Sequence, residues 1–247
     1  MINWFVRSSL ALSVYAMRMA IEENIKTHHI TSFKGKGSLE LLVISDIHRR
    51  SISDRLLSKL PNHVDAILLI GDITERGVPI SRTATNFMKL QQVGPLFYVF
   101  GNNDREVGEE NLVDLLKRYQ VTILQNDSVQ IPEKSLQIVG LDDGYNGKVD
   151  MQKAVSLLDH TSFTVFMTHS PAFIKKIPEE VSVDLAIAGH YHGGQIRFGK
   201  WGIQPLGSFE AKDNRYELIS NGFGTTALPF RIGAESEIHL IQIDRKK

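Results

Sequence analysis

The chain has 247 residues and no cysteine, which fits one large α/β domain in a reducing cytoplasm and excludes a disulfide framework and thiolate metal sites. Its 28 basic and 28 acidic side chains give a formal net charge of zero, so no chain-wide field recruits nucleic acid or an anionic membrane, and no nucleic-acid partner is expected. Any metal must be held by His, Asn and carboxylates, a donor set that suits Mn, Fe, Zn and similar first-row divalent ions.

Residues 2–21 are apolar-rich, but Arg7 and Arg18 interrupt them. A bilayer span needs roughly 20 largely uncharged residues, so a transmembrane helix is a poor reading. No basic start, unbroken apolar stretch and small-residue cleavage site mark a signal peptide. Residues 1–37 are therefore expected to form an N-terminal helical segment. It is either packed on the domain or a partner, or an interfacial helix touching membrane peripherally through residues 2–21. The domain proper is expected over 38–247.

From Leu39 the pattern becomes regular. The run ending at Ser45 is continuous, apolar and β-branched, and reads as a buried strand. Residues 52–60 read as helix, 66–72 as a second buried strand, 81–91 as helix, and 95–104 as a third strand ending in a turn. A helix follows over 109–118, then short β segments at 121–124, 129–131 and 136–140, and a helix over 151–158. Residues 163–171 and 183–195 are buried strands with polar ends. Strands near 216–220 and 237–243 are joined through the Gly-rich stretch 221–224. Alternating strands and helices imply an α/β fold, and the later β run implies a second sheet.

Five of the apolar runs end in polar residues: Asp46-Ile47-His48, Gly71-Asp72, Gly101-Asn102-Asn103-Asp104, Thr168-His169 and Gly189-His190-Tyr191-His192. Ligands of open α/β sheets sit beyond the carboxyl ends of the strands, so these side chains are expected on one rim. Each motif alone is an ordinary turn or helix cap. His190 and His192 are stronger, because residues two apart in extended chain point to one side. Four of the nine histidines lie in the motifs. With Asp46, Asp72 and Asn102 they give seven potential ligands, enough for two ions sharing a carboxylate.

In this order D-x-H, G-D, G-N-x-D, H and G-H-x-H resemble the signature of the calcineurin-like metallophosphoesterases, over roughly 39–244. The phrases GHYHGGQIRFG and SNGFGTTALPFRIGAESEIHLI resemble a bacterial subfamily of membrane-associated and cell-wall phosphoesterases. Some of its members are UDP-2,3-diacylglucosamine pyrophosphatases. The resemblance implies a four-layer sandwich with two mixed β-sheets flanked by helices. It implies two divalent ions, manganese first and Fe, Zn, Co or Ni as alternatives. Asp46, His48 and His192 hold one ion, Asn102, His169 and His190 the other, and Asp72 bridges. The implied reaction is hydrolysis of a small phosphorylated substrate by a hydroxide shared between ions about 3.5–4 Å apart.

Many members of that superfamily carry His after the ligand Asn and use it to protonate the leaving oxygen. Here the position is Asn103, and an amide is no general acid near neutral pH. The expected substrate is therefore a phosphodiester, a phosphoanhydride or an activated phosphomonoester. Asp72, Asn103, Asp104 and Arg76 are the catalytic candidates, Asp104 as an orienting group. Asn103, Arg76 and Arg49 are the candidate substrate contacts. The stretch 72–77 resembles the G-D-x-x-D-R-G motif of phosphoprotein phosphatases, where the Arg contacts phosphate, and a guanidinium fork suits that task. A protein phosphatase is thus one alternative. A non-catalytic scaffold is another, although a scaffold is free to lose ligands and all seven positions are filled. Gly193, Gly194 and Gln195 read as a tight turn, and His28, His29, His63, His160 and His239 as ordinary histidines.

Overall fold

The apolar runs become the central strands of two six-stranded sheets packed face to face. The computed structural model describes residues 2–35, 37–212 and 214–246. The chain opens with α1 (Ile2–Ile21), β1 (Asn24–Ser32) and β2 (Ser38–Ile44). Then come α2 (Asp54–Leu57), β3 (Ala66–Ile70), α3 (Ile80–Leu90), β4 (Leu96–Val99), α4 (Glu109–Arg118) and β5 (Thr122–Ile123). The second half contains β6 (Asp127–Ile131), β7 (Leu136–Gly140), α5 (Met151–Val155), β8 (Phe163–Met167) and β9 (Leu185–Ala188). It closes with β10 (Arg197–Phe198), β11 (Trp201–Gly202), β12 (Ser208–Lys212), β13 (Arg215–Ile219) and β14 (Glu237–Arg245).

The first sheet has the order β1-β14-β2-β3-β4-β5, and the second β12-β13-β9-β8-β7-β6. Strands β2 to β5 are mutually parallel, as are β7, β8, β9 and β13; β14 runs antiparallel to β2, and hairpin partners β6 and β12 close the second sheet. Parallel strands are covered on both faces, which is why their sequences are unbroken apolar runs. Leu41, Val43, Leu68 and Ile70 face Ile138, Val165, Met167 and Ile187 between the sheets. Their neighbours Leu42, Ile44, Ile67 and Leu69 pack outward against Leu56, Phe87, Leu90, Leu112 and Leu116 of α2, α3 and α4. On the far side, Val139, Phe166 and Ala186 pack under Ala154 and Ile174. The result is the four-layer α/β sandwich expected from the motifs.

Two expected helices are shorter than their apolar patterns. The helix expected over 52–60 forms only as α2, with Ser53 Oγ accepting from Leu56 N at 2.9 Å. The residue before Pro61 resists helical geometry, which ends the element early. The helix expected over 151–158 ends at Val155.

The N-terminal division at 37/38 needs correction. Helix stops at Ile21, and Asn24–Ser32 is a strand of the first sheet, pairing in parallel with β14 from Asn24↔Glu237 to Ser32↔Arg245. The domain therefore begins near residue 24. Helix α1 packs on it through buried Ala16, Met19 and Ala20. Arg231 N donates to Ala16 O at 3.0 Å, and Arg50 Nη2 donates to Glu22 O at 2.7 Å. Val6, Leu10, Val14, Tyr15 and Met17 remain exposed. Among the described residues, no helix is long and apolar enough to cross a membrane.

His239 on β14 is buried between Ser220 Oγ at 3.0 Å and His28 Nε2 at 3.1 Å, with Glu237 Oε1 at 3.5 Å. Burial pushes its imidazole down to about 3, and the nearby His28 and Lys26 act in the same direction. The unfolded chain takes up this proton below pH 6.5 and the folded chain does not. Stability is thus fully present above pH 6.5 and is lost as pH falls toward 3. Between pH 7 and 5 the residue is expected to remove about 2 kcal/mol. Urea unfolding across that range checks this: His239→Gln should flatten the pH slope, and an unchanged slope contradicts a neutral buried imidazole.

Candidate metal centre

The loops that follow β2, β3, β4, β8 and β9 meet at one rim of the sandwich. Their backbone is unusual. Asp46, His48, Asp72, His190 and His192 all have positive φ, between 49° and 70°. Non-glycine residues adopt that region reluctantly, so the surroundings must hold them there. Asp46 N donates to Gly71 O at 3.0 Å, His48 N to Asp72 O at 2.9 Å, and Gly224 N to Asp46 O at 2.7 Å. The turns after β3 and β4 touch through backbone: a Cβ on Gly101 would lie 2.3 Å from both Asp72 N and Asp72 Oδ1. Glycine is required at that contact.

All seven candidate ligands come together. His192 Nε2 lies 3.2 Å from Asp46 Oδ1 and 3.1 Å from His48 Nε2. Asp72 Oδ2 reaches both sides, 3.7 Å from His48 Nε2 and 3.4 Å from His169 Nε2. On the second side Asn102 Oδ1 is 3.2 Å and His190 Nδ1 3.1 Å from His169 Nε2. Two groups have all their donor atoms within 4.8 Å of one another: Asp46, His48 and His192, and Asp46, Asp72 and His169.

The hydrogen bonds on the far side of each ring test whether a cation fits. His169 Nδ1 lies 2.9 Å from Ile70 O, an acceptor only, so Nδ1 carries the proton and Nε2 offers a lone pair. His48 Nδ1 is likewise 2.8 Å from Glu75 Oε2, leaving Nε2 free. Lone-pair nitrogens and carboxylate oxygens therefore converge in a buried pocket, which suits divalent cations. Without cations the electrostatics favour protons there. Burial lowers the pKa of His169, but the Asp72 carboxylate outweighs it and pushes the imidazole up to about 10. Burial also opposes ionisation of Asp46, yet His192 and His169 hold its carboxyl well below the usual range.

Residues 39–194 match the family described as calcineurin-like phosphoesterase. The chain belongs to this family, and it is a phosphate-ester hydrolase. It is 36% identical to YpbG of Bacillus subtilis (strain 168) over 242 residues, 96% of this chain and 93% of that protein. It is 28% identical to the phosphodiesterase YaeI of Escherichia coli (strain K12), covering 80% of this chain and 76% of YaeI. The fold matches a 5'-nucleotidase precursor of Thermus thermophilus with a TM-score of 0.51 at 15% identity, over 83% of this chain and 55% of that one.

Around the candidate ligands of this metallophosphoesterase, the other site candidates separate. Asn103 stands at the centre: its N–H donates to Asp72 Oδ1 at 2.8 Å, and its Oδ1 accepts from Asn102 Nδ2 at 2.6 Å. Asp104 is fully buried beneath it. Its Oδ2 accepts from Asp72 N and Gly101 N at 2.7 Å and from Tyr98 Oη at 2.8 Å, and its Oδ1 accepts from Thr74 N at 3.2 Å. Asp104 is thus a brace for two ligand turns and faces no substrate space. Arg76 is also displaced from its expected place. It is exposed and lines a separate cleft with Glu106, Asn111 and Arg118, which no ligand side chain reaches. Arg49 is turned into an ion pair with Glu75.

Several contributors were not read from the sequence. Glu75 holds His48. Tyr145 places its hydroxyl 3.2 Å from His190 Nε2, and Asn146 Nδ2 donates to Asn102 O at 2.7 Å. Arg231 is completely buried. Its Nη2 donates to Asn221 O at 2.7 Å and to Gly224 O at 2.6 Å, and lies 3.3 Å from His192 Nδ1. The Gly-rich stretch 221–224 flagged in the sequence is the one visible sign of this support.

Asp104→Asn can keep its oxygen toward the three donors at Oδ2 only by turning its amide nitrogen onto Thr74 N, which already donates there, and it removes the negative charge that all four donors face. An unmade buried hydrogen bond costs about 1–3 kcal/mol, more at a charged group. The variant is expected to lose roughly 2–4 kcal/mol in urea unfolding and to bind metal more weakly in calorimetry. Wild-type stability with wild-type metal affinity contradicts the bracing role.

Proposed function

We propose that the chain hydrolyses a phosphodiester, a phosphoanhydride or an activated phosphomonoester of a small molecule at a centre for two divalent ions, with manganese the first choice. The observation that carries this reading is the convergence of seven donors whose lone pairs face one another across a buried space. Asp46, His48 and His192 form one half of the centre and Asn102, His169 and His190 the other. Asp72 Oδ2 stands between them. When bound, two such ions supply an acidified water near neutral pH and positive charge against the phosphoryl oxygens.

The chain's own residues shape what is hydrolysed. Asn102 is a neutral ligand and limits the negative charge that an anionic phosphate meets. Asn103 occupies the place next to it and offers an amide, which stabilises a phosphoryl oxygen by hydrogen bonding but gives no proton to a departing alkoxide. Arg49 is committed to Glu75, and Arg76 lies in another cleft. Neither supports the protein-phosphatase reading. The exposed apolar row of α1 supports peripheral contact with a membrane surface.

Manganese-loaded protein should turn over bis-p-nitrophenyl phosphate, and a chelator should abolish the activity. Asp72→Asn should reduce it on the order of 10³-fold, as removal of several kcal/mol of charge stabilisation requires. Asn103→His should raise the rate on an alkyl phosphomonoester relative to the aryl diester by about 10²-fold. Absence of metal-dependent turnover on every phosphoester and anhydride of a substrate panel contradicts the proposal.

A further inference from the structure

The loop after β7 brings a side chain to the rim that the candidate ligands leave half used. Residues 142–148 close on two buried carboxylates. Asp142 Oδ2 accepts from Lys148 N at 3.0 Å, and Asp143 Oδ2 accepts from Asn146 N at 2.7 Å. Gly144 lies against Phe173, where a Cβ would stand 2.3 Å from Phe173 Cζ. Two further bonds tie the loop to the turn that bears Asn102. Arg105 Nη2 donates to Asp142 Oδ1 at 2.7 Å, and Asn146 Nδ2 donates to Asn102 O at 2.7 Å. Residue 145 is therefore placed by the same turn that places a candidate ligand.

Tyr145 is 63% exposed. Its ring centroid lies 5.0 Å from that of His190, and its hydroxyl 3.2 Å from His190 Nε2. So open a ring adds little by packing, and what it brings to the rim is its hydroxyl. The direction of the hydrogen bond follows from the other side of the imidazole. His190 Nδ1 lies 3.1 Å from His169 Nε2, among the donor atoms that face one another. A ring that offers Nδ1 to a cation carries its proton on Nε2. His190 Nε2–H therefore donates, and Tyr145 Oη accepts. A phenol is a donor as well as an acceptor. Among the described residues the Tyr145 hydroxyl has no second partner, so its own hydrogen is unspent on the open side of the centre. The two arginines expected at the phosphate are engaged elsewhere, Arg49 with Glu75 and Arg76 in the cleft beside α4.

We infer that Tyr145 is a substrate-binding residue, whose hydroxyl donates a hydrogen bond to a phosphoryl oxygen held beside His190. This role rests on the phosphohydrolase reading of the centre. A phosphoryl oxygen is anionic, and bonds to charged acceptors are the strong ones. Hydrogen bonds in a row polarise one another, so the His190 N–H strengthens the phenol as a donor. The rival role is structural: the hydroxyl does no more than orient the His190 ring.

Tyr145→Phe removes the hydroxyl and keeps the ring, so it separates the two. Manganese is titrated into wild type and variant by calorimetry, and inorganic phosphate is then titrated into each manganese-saturated protein. A hydrogen bond to a charged acceptor corresponds to about tenfold or more in an equilibrium constant. Manganese affinity should match the wild type, while the phosphate Kd should rise about tenfold or more. The kcat/KM on bis-p-nitrophenyl phosphate should fall by a similar factor. An unchanged phosphate Kd in the variant overturns the assignment. So does weakened manganese binding with wild-type phosphate affinity at saturating metal, the mark of a residue that only orients His190. In both cases turnover of the diester by the wild type leaves the phosphohydrolase reading intact. A wild-type protein that binds no phosphate at saturating manganese overturns the assignment as well. Weakened phosphate binding in the variant, with no turnover of any phosphoester by the wild type, supports the tyrosine and sinks the phosphohydrolase reading instead.

Discussion

Five of the seven candidate metal-centre side chains sit on backbone that non-glycine residues avoid, with their donor atoms turned toward each other. Each such residue costs about 1–3 kcal/mol, and crowded lone pairs add repulsion. The rest of the sandwich is arranged to sustain that rim. Parallel strands from two sheets deliver the turns, and Gly101 lets two of them touch. Asp104 gathers the N–H groups of Asp72 and Gly101 beneath the centre. Arg231 gathers the carbonyls of the Gly-rich stretch beneath His192.

The rim has two characters. Its floor is built of imidazoles, carboxylates and amides that suit ions and phosphate. Its flank, from Ile196 to Leu228, is apolar and leads away from His190 and His192. Asn103, in the loop after β4, offers an amide, which gives no proton near neutral pH.

The central strands were legible because a strand covered on both faces must be apolar throughout, as in Ala66–Ile70 and Phe163–Met167. The candidate ligands stand out because they sit where such runs stop. Strand β1 was hidden because it is an edge strand. Only Ile30 and Ser32 of its nine residues are buried, so its sequence reads as polar. Arg76 was misplaced because nearness in sequence to Asp72 says nothing of direction. The chain leaves the rim at Glu75, which His48 and Arg49 hold, and carries Arg76 into the cleft beside α4. Tyr145 and Arg231 lie 45 and 39 residues from their histidine partners. Their contacts exist only once both sheets are assembled, and no local pattern announces them.

The central claim is that this rim holds two divalent ions. The direct measurement is the metal content of the purified chain after manganese loading and exhaustive dialysis, read by inductively coupled plasma mass spectrometry against protein concentration. The account predicts two ions per chain in the wild type and fewer than two in His169→Ala. A wild-type chain that retains one ion or none, at metal concentrations that support turnover, contradicts it.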